Sequence, residues 1–104
     1  MLREPDLLDA VRAWASERTA NLRGHAIKLE ISESPEDRDP RSIKLAFEAA
    51  RKLSEIIIWA NGNAELLFAD IDSWDIIPEH RDIRSTQDLE DALNATMEWV
   101  EDPT

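Results

Sequence analysis

Two imidazoles, His25 and His80, and the aspartates of DIDSWD (Asp70, Asp72 and Asp75) are the side chains that could move a proton or hold a cation. A general base needs a nucleophile within hydrogen-bond reach. His25 follows Gly24 at a helix-to-strand junction and reads as a surface turn residue. His80 stands in EHRD, among acids that would raise its pKa, but no serine or threonine flanks it in a motif such as GxSxG. The aspartate run has the opening of a calcium loop without its mid-loop glycine, and Arg81 occupies the twelfth position where a glutamate should close it. Gly24 and Gly62 are the two glycines of the chain, which excludes a glycine-rich phosphate loop. The reading is a chain that is not an enzyme, has no catalytic residue, metal or cofactor, and turns its acids toward a partner.

The elements that position these residues belong to one domain spanning 1–104, since 104 residues support a single core without staples. Hydrophobic content of 42% beside 34% charge is that of a globular chain. With no cysteine there is no disulfide framework and no thiolate site, and a reducing cytoplasm is the expected location. No apolar run approaches the roughly 18 residues of a membrane span. The start, MLREPDLLDAVRAW, reads as an amphipathic helix and lacks the apolar core of a signal peptide.

Charge is segregated. Lys/Arg and Asp/Glu balance over residues 1–52, so the whole net charge of −11 lies in residues 53–104, where Arg81 and Arg84 are the only cations. Such a half repels nucleic acid and anionic membrane and steers a basic protein surface toward itself. The bland alternative is an acidic surface that is merely solvated.

From Pro5 to Leu22 the apolar positions Leu7, Leu8, Val11, Trp14, Ala15 and Leu22, with the stem of Arg18, form one helical face. Pro5, Asp6 and Asp9 suit its first turns, and Gly24 suits its end. HAIKLEIS alternates, with Ile27, Leu29 and Ile31 on one face. SPEDRDPR, with Glu36 and Asp37, is a loop, and SIKLAFEA alternates again with Ile43, Leu45 and Phe47 inward. Two apolar strands near 54–60 and 64–71 are joined at Asn61-Gly62, a hairpin signal. A fifth strand runs from Trp74 to Arg84, with Pro78 marking an edge or a bulge. Ser85 and Asp88 make a capping-box-like start to a last helix whose face is Leu89, Ala92, Leu93, Thr96, Met97 and Val100. Short connections require antiparallel neighbours. The expected fold is therefore α+β: a helix near 5–23, an antiparallel meander of about five strands, and a helix near 86–101, with both helices on one face.

Two helices leave the other face open. A three-residue hairpin turn with Gly62 in a bulge puts Ile56, Ile58, Leu66 and Phe68 on one side and Ile57, Trp59, Glu65 and Leu67 on the other; a two-residue turn still leaves Trp59 or Ile58 outside. An apolar stripe on an open face marks a protein contact unless a loop or terminus folds over it. Trp14 and Trp99 border helical core faces and are read as packing residues, whereas Trp59 and Trp74 are expected to be exposed. The candidate site is Ile57, Trp59 and Leu67 with Glu65, surrounded by Asp70, Asp72, Trp74, Asp75 and Glu79.

The run VRAWASERTANLRGHAIKLEIS, then SIKLAF, IIIWANGNAELLFADID and LEDALNATMEWV, resembles the TriTu family of bacterial immunity proteins from about Leu7 to Val100. The resemblance lies in a tryptophan in the first helix, an isoleucine-rich strand, and a tryptophan three residues before the hairpin glycine. It implies a cognate immunity protein that protects its producer from an ADP-ribosyltransferase toxin blocking translation, carried at the end of an Rhs-type effector of type VI secretion. Its partner would be that toxin, basic at the contact, with the free protein a monomer or weak homodimer. The rival class is a small acidic secretion chaperone or adaptor for an effector.

Overall fold

A computed structural model of the chain describes residues 4–22, 26–35, 37 and 39–101. The order is α1 (Glu4–Leu22), β1 (Lys28–Glu33), β2 (Ser42–Glu48), β3 (Lys52–Trp59), β4 (Asn63–Asp70), β5 (Ile76–Asp82) and α2 (Thr86–Glu101). The strands form one antiparallel sheet in the order β1-β2-β3-β4-β5, so each pairs with its neighbour in sequence. The roles expected of Gly24, His25 and Glu36, and of the Asp6 and Leu22 side chains, fall outside what is described. Strand limits differ from expectation by at most three residues, and the start of β2 at Ser42 coincides with it.

A single core joins both helices to one face of the sheet. Leu7, Leu8, Val11 and Ala15 of α1 and Leu89, Ala92, Leu93, Met97 and Val100 of α2 close over Ile43, Leu45, Phe47, Ile56, Ile58, Ala64, Leu66 and Phe68. In this arrangement α1 packs against β2, while α2 lies chiefly across β3 and β4. Trp14 meets Phe47 edge-on at 6.1 Å and carries the Arg18 guanidinium 5.3 Å above its ring, so this tryptophan packs as expected. Trp99 meets Phe68 at 5.6 Å and donates its indole N–H to the carbonyl of Ala69 at 3.0 Å.

The hairpin turn has three residues, Ala60, Asn61 and Gly62, as the pairing of Ile58 with Ala64 requires. Gly62 has φ 96, a region that suits glycine, and a Cβ there would stand 2.7 Å from the carbonyl oxygen of Ile83. Across the start of α2, Ser85 Oγ accepts from the amide of Asp88 at 3.1 Å. The Asp88 carboxylate reaches back to the amide of Arg84 at 2.9 Å, one residue beyond the position of a standard capping box.

Two features were not expected. Ser54, fully buried in β3, donates its hydroxyl to the carbonyl of Thr96 at 2.7 Å, a polar pin between sheet and helix. Lys52 is also buried, with its ammonium 4.6 Å from the centre of the Trp99 ring. A third observation qualifies the sequence reading: Ile31 does share the inward face, opposite Leu45, but at the sheet edge it is 47% exposed.

Candidate functional site

Residues paired directly across an antiparallel sheet share a face, so the register maps the side away from the helices row by row. The first row runs Ser32, Lys44, Ile57, Glu65, His80, and the next Glu30, Ala46, Glu55, Leu67, Pro78. The third runs Lys28, Glu48, Leu53, Ala69, Ile76. Ser42 and Trp59 sit beyond the first row, toward the β3–β4 hairpin. No helix crosses this face among the described residues. Its apolar stripe of Trp59, Ile57, Leu67, Pro78, Leu53 and Ile76 runs obliquely between charged flanks.

Ile57, Trp59 and Leu67 do share this open face, as expected, but Trp59 is half-buried and not exposed. It lies in the central strand, where neighbouring side chains shield the body of a large ring. Among the described large apolar residues, those exposed here are Trp74 at 73%, Ile76 at 57% and Ile77 at 51%. They crowd the turn from β4 into β5. Ile77 stands opposite Phe68 and so belongs to the helix side of the sheet.

The acidic turn organises itself. Asp70 Oδ1 accepts from the amides of Asp72 at 2.9 Å and Ser73 at 3.2 Å, and the Asp70 carbonyl accepts from the amide of Trp74 at 2.8 Å. Ser73 Oγ donates to Asp75 at 3.0 Å, and Asp72 lies 3.6 Å from Arg51 of the β2–β3 turn. The chain leaves this knot with Trp74 at φ 59, a left-handed conformation that costs a bulky residue energy. The result is an indole pushed into solvent with carboxylates beside it. Among the described residues no group of three His, Cys, Asp or Glu could hold a metal ion.

The candidate residues are not all together. Asp70 pairs with Lys52, at the opposite end of β3 from Trp59. Seven residues of strand separate the two ends, about 23 Å. Trp59 and the acidic turn are thus the two poles of the open face, with Ile57, Glu65 and Leu67 between them. Glu79 faces elsewhere: it stands opposite buried Leu66, on the helix side, and pairs with Arg81.

Charged pairs fill the flanks: Lys44 and Glu55 are not among the expected site residues, whereas His80 lies among acids as expected. Lys44 and Glu55 form an ion pair at 3.3 Å. His80 Nδ1 lies 2.8 Å from Glu65 and its Nε2 3.2 Å from Asp82. The hydrogen bond to Glu65, then that to Asp82, raises the His80 pKa above its usual 6.5. With both nitrogens bound to carboxylates, the ring presents no free base to a substrate. A shallow groove of about 140 Å³ between Lys28, Glu30, Ala46, Glu48, Leu53 and Glu55 indents the far corner. The whole is a gently polar face with an apolar diagonal, suited to a protein surface and not to a small molecule.

A family model described as "Immunity protein TriTu" matches residues 9–99, so the match takes in every strand and most of both helices. No curated protein matches the chain.

Proposed function

The chain belongs to the TriTu family of immunity proteins, and on that premise we propose that it neutralises its cognate toxin by binding it, without catalysis or cofactor, through the open face and the acidic turn. The observation that supports this reading is Trp74, 73% exposed and held at φ 59 by a turn of aspartates. A protein with no use for that indole would gain by placing glycine or asparagine there. Tryptophan anchors dominate binding energies when they enter a desolvated pocket.

In this reading Trp74 and Ile76 form the anchor, Ile57, Trp59 and Leu67 extend the apolar contact, and Glu65, Asp72 and Asp75 meet lysines or arginines of the toxin, while Asp70, opposite buried Lys52 on the helix side, holds the turn in shape. Glu79, on the other side of β5, is left out. The distance between the poles suits an interface burying about 800 Å² on each partner. The toxin in question is an ADP-ribosyltransferase that stops translation, delivered by type VI secretion at the end of an Rhs effector. The protein acts in the producer's cytoplasm. Such an enzyme binds the phosphates of a dinucleotide with cations, and the aspartates of the turn would compete for the same groups.

Co-expression with the toxin encoded beside it tests the proposal. A one-to-one complex that abolishes ADP-ribose transfer is the expected result, with Trp74→Ala releasing the toxin while melting as the parent does. Binding only to an unfolded segment of the effector would instead make the protein a secretion chaperone. Full inhibition by Trp74→Ala would remove the turn from the interface.

A further inference from the structure

The meander leaves two sheet edges, and they are not alike. On β5, Ile83 donates its amide to Gly62 and the Asp75 carbonyl accepts from Asp70. Odd-numbered residues therefore bond inward, and positions 76, 78, 80 and 82 face out. Pro78 stands in the middle of that outward row with no N–H to offer, and β5 lies in the half of the chain that carries the net negative charge. An added strand would meet a gap and a negative field.

On β1 the amide of Ser34 bonds to the Ser42 carbonyl, so the even residues face β2. Leu29, Ile31 and Glu33 then direct N–H and C=O outward, and β1 contains no proline. Beside this row Ile31 is 47% exposed, the one exposed large apolar side chain described outside the 74–77 region. Charge identifies the occupant. Two copies of a chain carrying −11 repel across most of their surfaces, yet β1 lies in the half whose charges balance. It is also the strand farthest from β5.

We propose that the protein forms a homodimer by antiparallel pairing of two β1 edges, giving a continuous ten-stranded sheet. With the two-fold axis at Ile31, Ile31 of one protomer packs on Ile31 of its partner, and Leu29 stands opposite Glu33. The two β5 strands end up about nine strand spacings apart, roughly 43 Å, well beyond the screening length of ordinary buffers. A two-fold perpendicular to the sheet leaves both open faces on the same side and uncovered. The contact is one short ladder with a small apolar centre, so it belongs to the weak class of interfaces.

Sedimentation of the protein over rising concentration and NaCl tests the proposal. A monomer–dimer equilibrium that tightens as salt screens the acidic halves is expected, and Ile31→Lys should raise its dissociation constant about tenfold or more. The chain has no cysteine, so Ile31→Cys adds a single thiol at the axis. On mild oxidation it should give a covalent dimer, whereas Ile77→Cys, equally exposed at the other edge, should stay monomeric. A monomer at every concentration and salt, a dimer indifferent to Ile31→Lys, or equal crosslinking of the two cysteine variants would overturn it.

Discussion

The imidazole of His80 stands 2.8 Å from the carboxylate of Glu65 on the neighbouring strand, and its other nitrogen 3.2 Å from Asp82. Both partners favour the imidazolium and raise its pKa in the folded protein above 6.5. A group whose folded pKa is raised contributes stability that is complete below its unfolded pKa and fades as pH climbs through the folded value. The parent should therefore exceed His80→Gln in urea resistance below pH 6.5, with the gap closing as pH rises above that value. A gap that widens with pH would mean that the two carboxylates do not hold the charged ring.

Ser54 links β3 to α2 through the Thr96 carbonyl. Ser54→Ala should lower unfolding free energy by about 1 kcal/mol, the net worth of a buried hydrogen bond. Because the Thr96 carbonyl also lies within a helix, the loss should not approach that of an orphaned group. Urea denaturation with an unchanged m-value is the measurement.

At Gly62 the backbone is left-handed and a Cβ would collide with the Ile83 carbonyl, which belongs to rigid main chain. Gly62→Ala should cost about 2 kcal/mol of stability. Calorimetry would show it as a lower Tm, and an unchanged Tm would contradict the close approach of hairpin and β5.

Trp74 offers a test that separates folding from binding. Trp74→Gly should raise stability by about 1 kcal/mol, as strain at φ 59 is relieved and little buried area is lost. The same change should weaken toxin binding by about 2 kcal/mol or more. Melting and titration of one variant give both numbers.

Salt should act on encounter. As the Debye length shrinks from about 10 Å toward 3 Å, association with the toxin should slow markedly while dissociation changes little. Stopped-flow mixing across NaCl concentrations reads both rates. An association rate indifferent to salt would leave the acidic half without a steering role.

Much of the fold was legible because its signals are local. The alternation of Ile43, Leu45 and Phe47, the Asn61-Gly62 turn and the helical spacing of Leu89 to Val100 each depend on a few adjacent residues. Harder to read was how elements lie along one another. Glu79 and Asp75 are close in sequence, but the register of β5 sends Glu79 to the helix side. By sequence Trp59 and Trp74 are alike as exposed tryptophans; in the structure one is shielded in the central strand, and the other is lifted out by a turn conformation that no composition signals. Lys52 entered the interior because its long stem can run under Trp99, an outcome decided by a helix more than forty residues away.

The sheet order has a consequence in time. Because every strand pairs with the one just before it, each ladder closes over a short loop, and little chain entropy must be lost before a contact forms. Pairing can begin while later strands are still being synthesised, leaving α2 to seal β3 and β4 at the end. For an antidote, that is a favourable order of assembly: nothing in the sheet waits for a distant segment, so the interval between synthesis and protection is kept short.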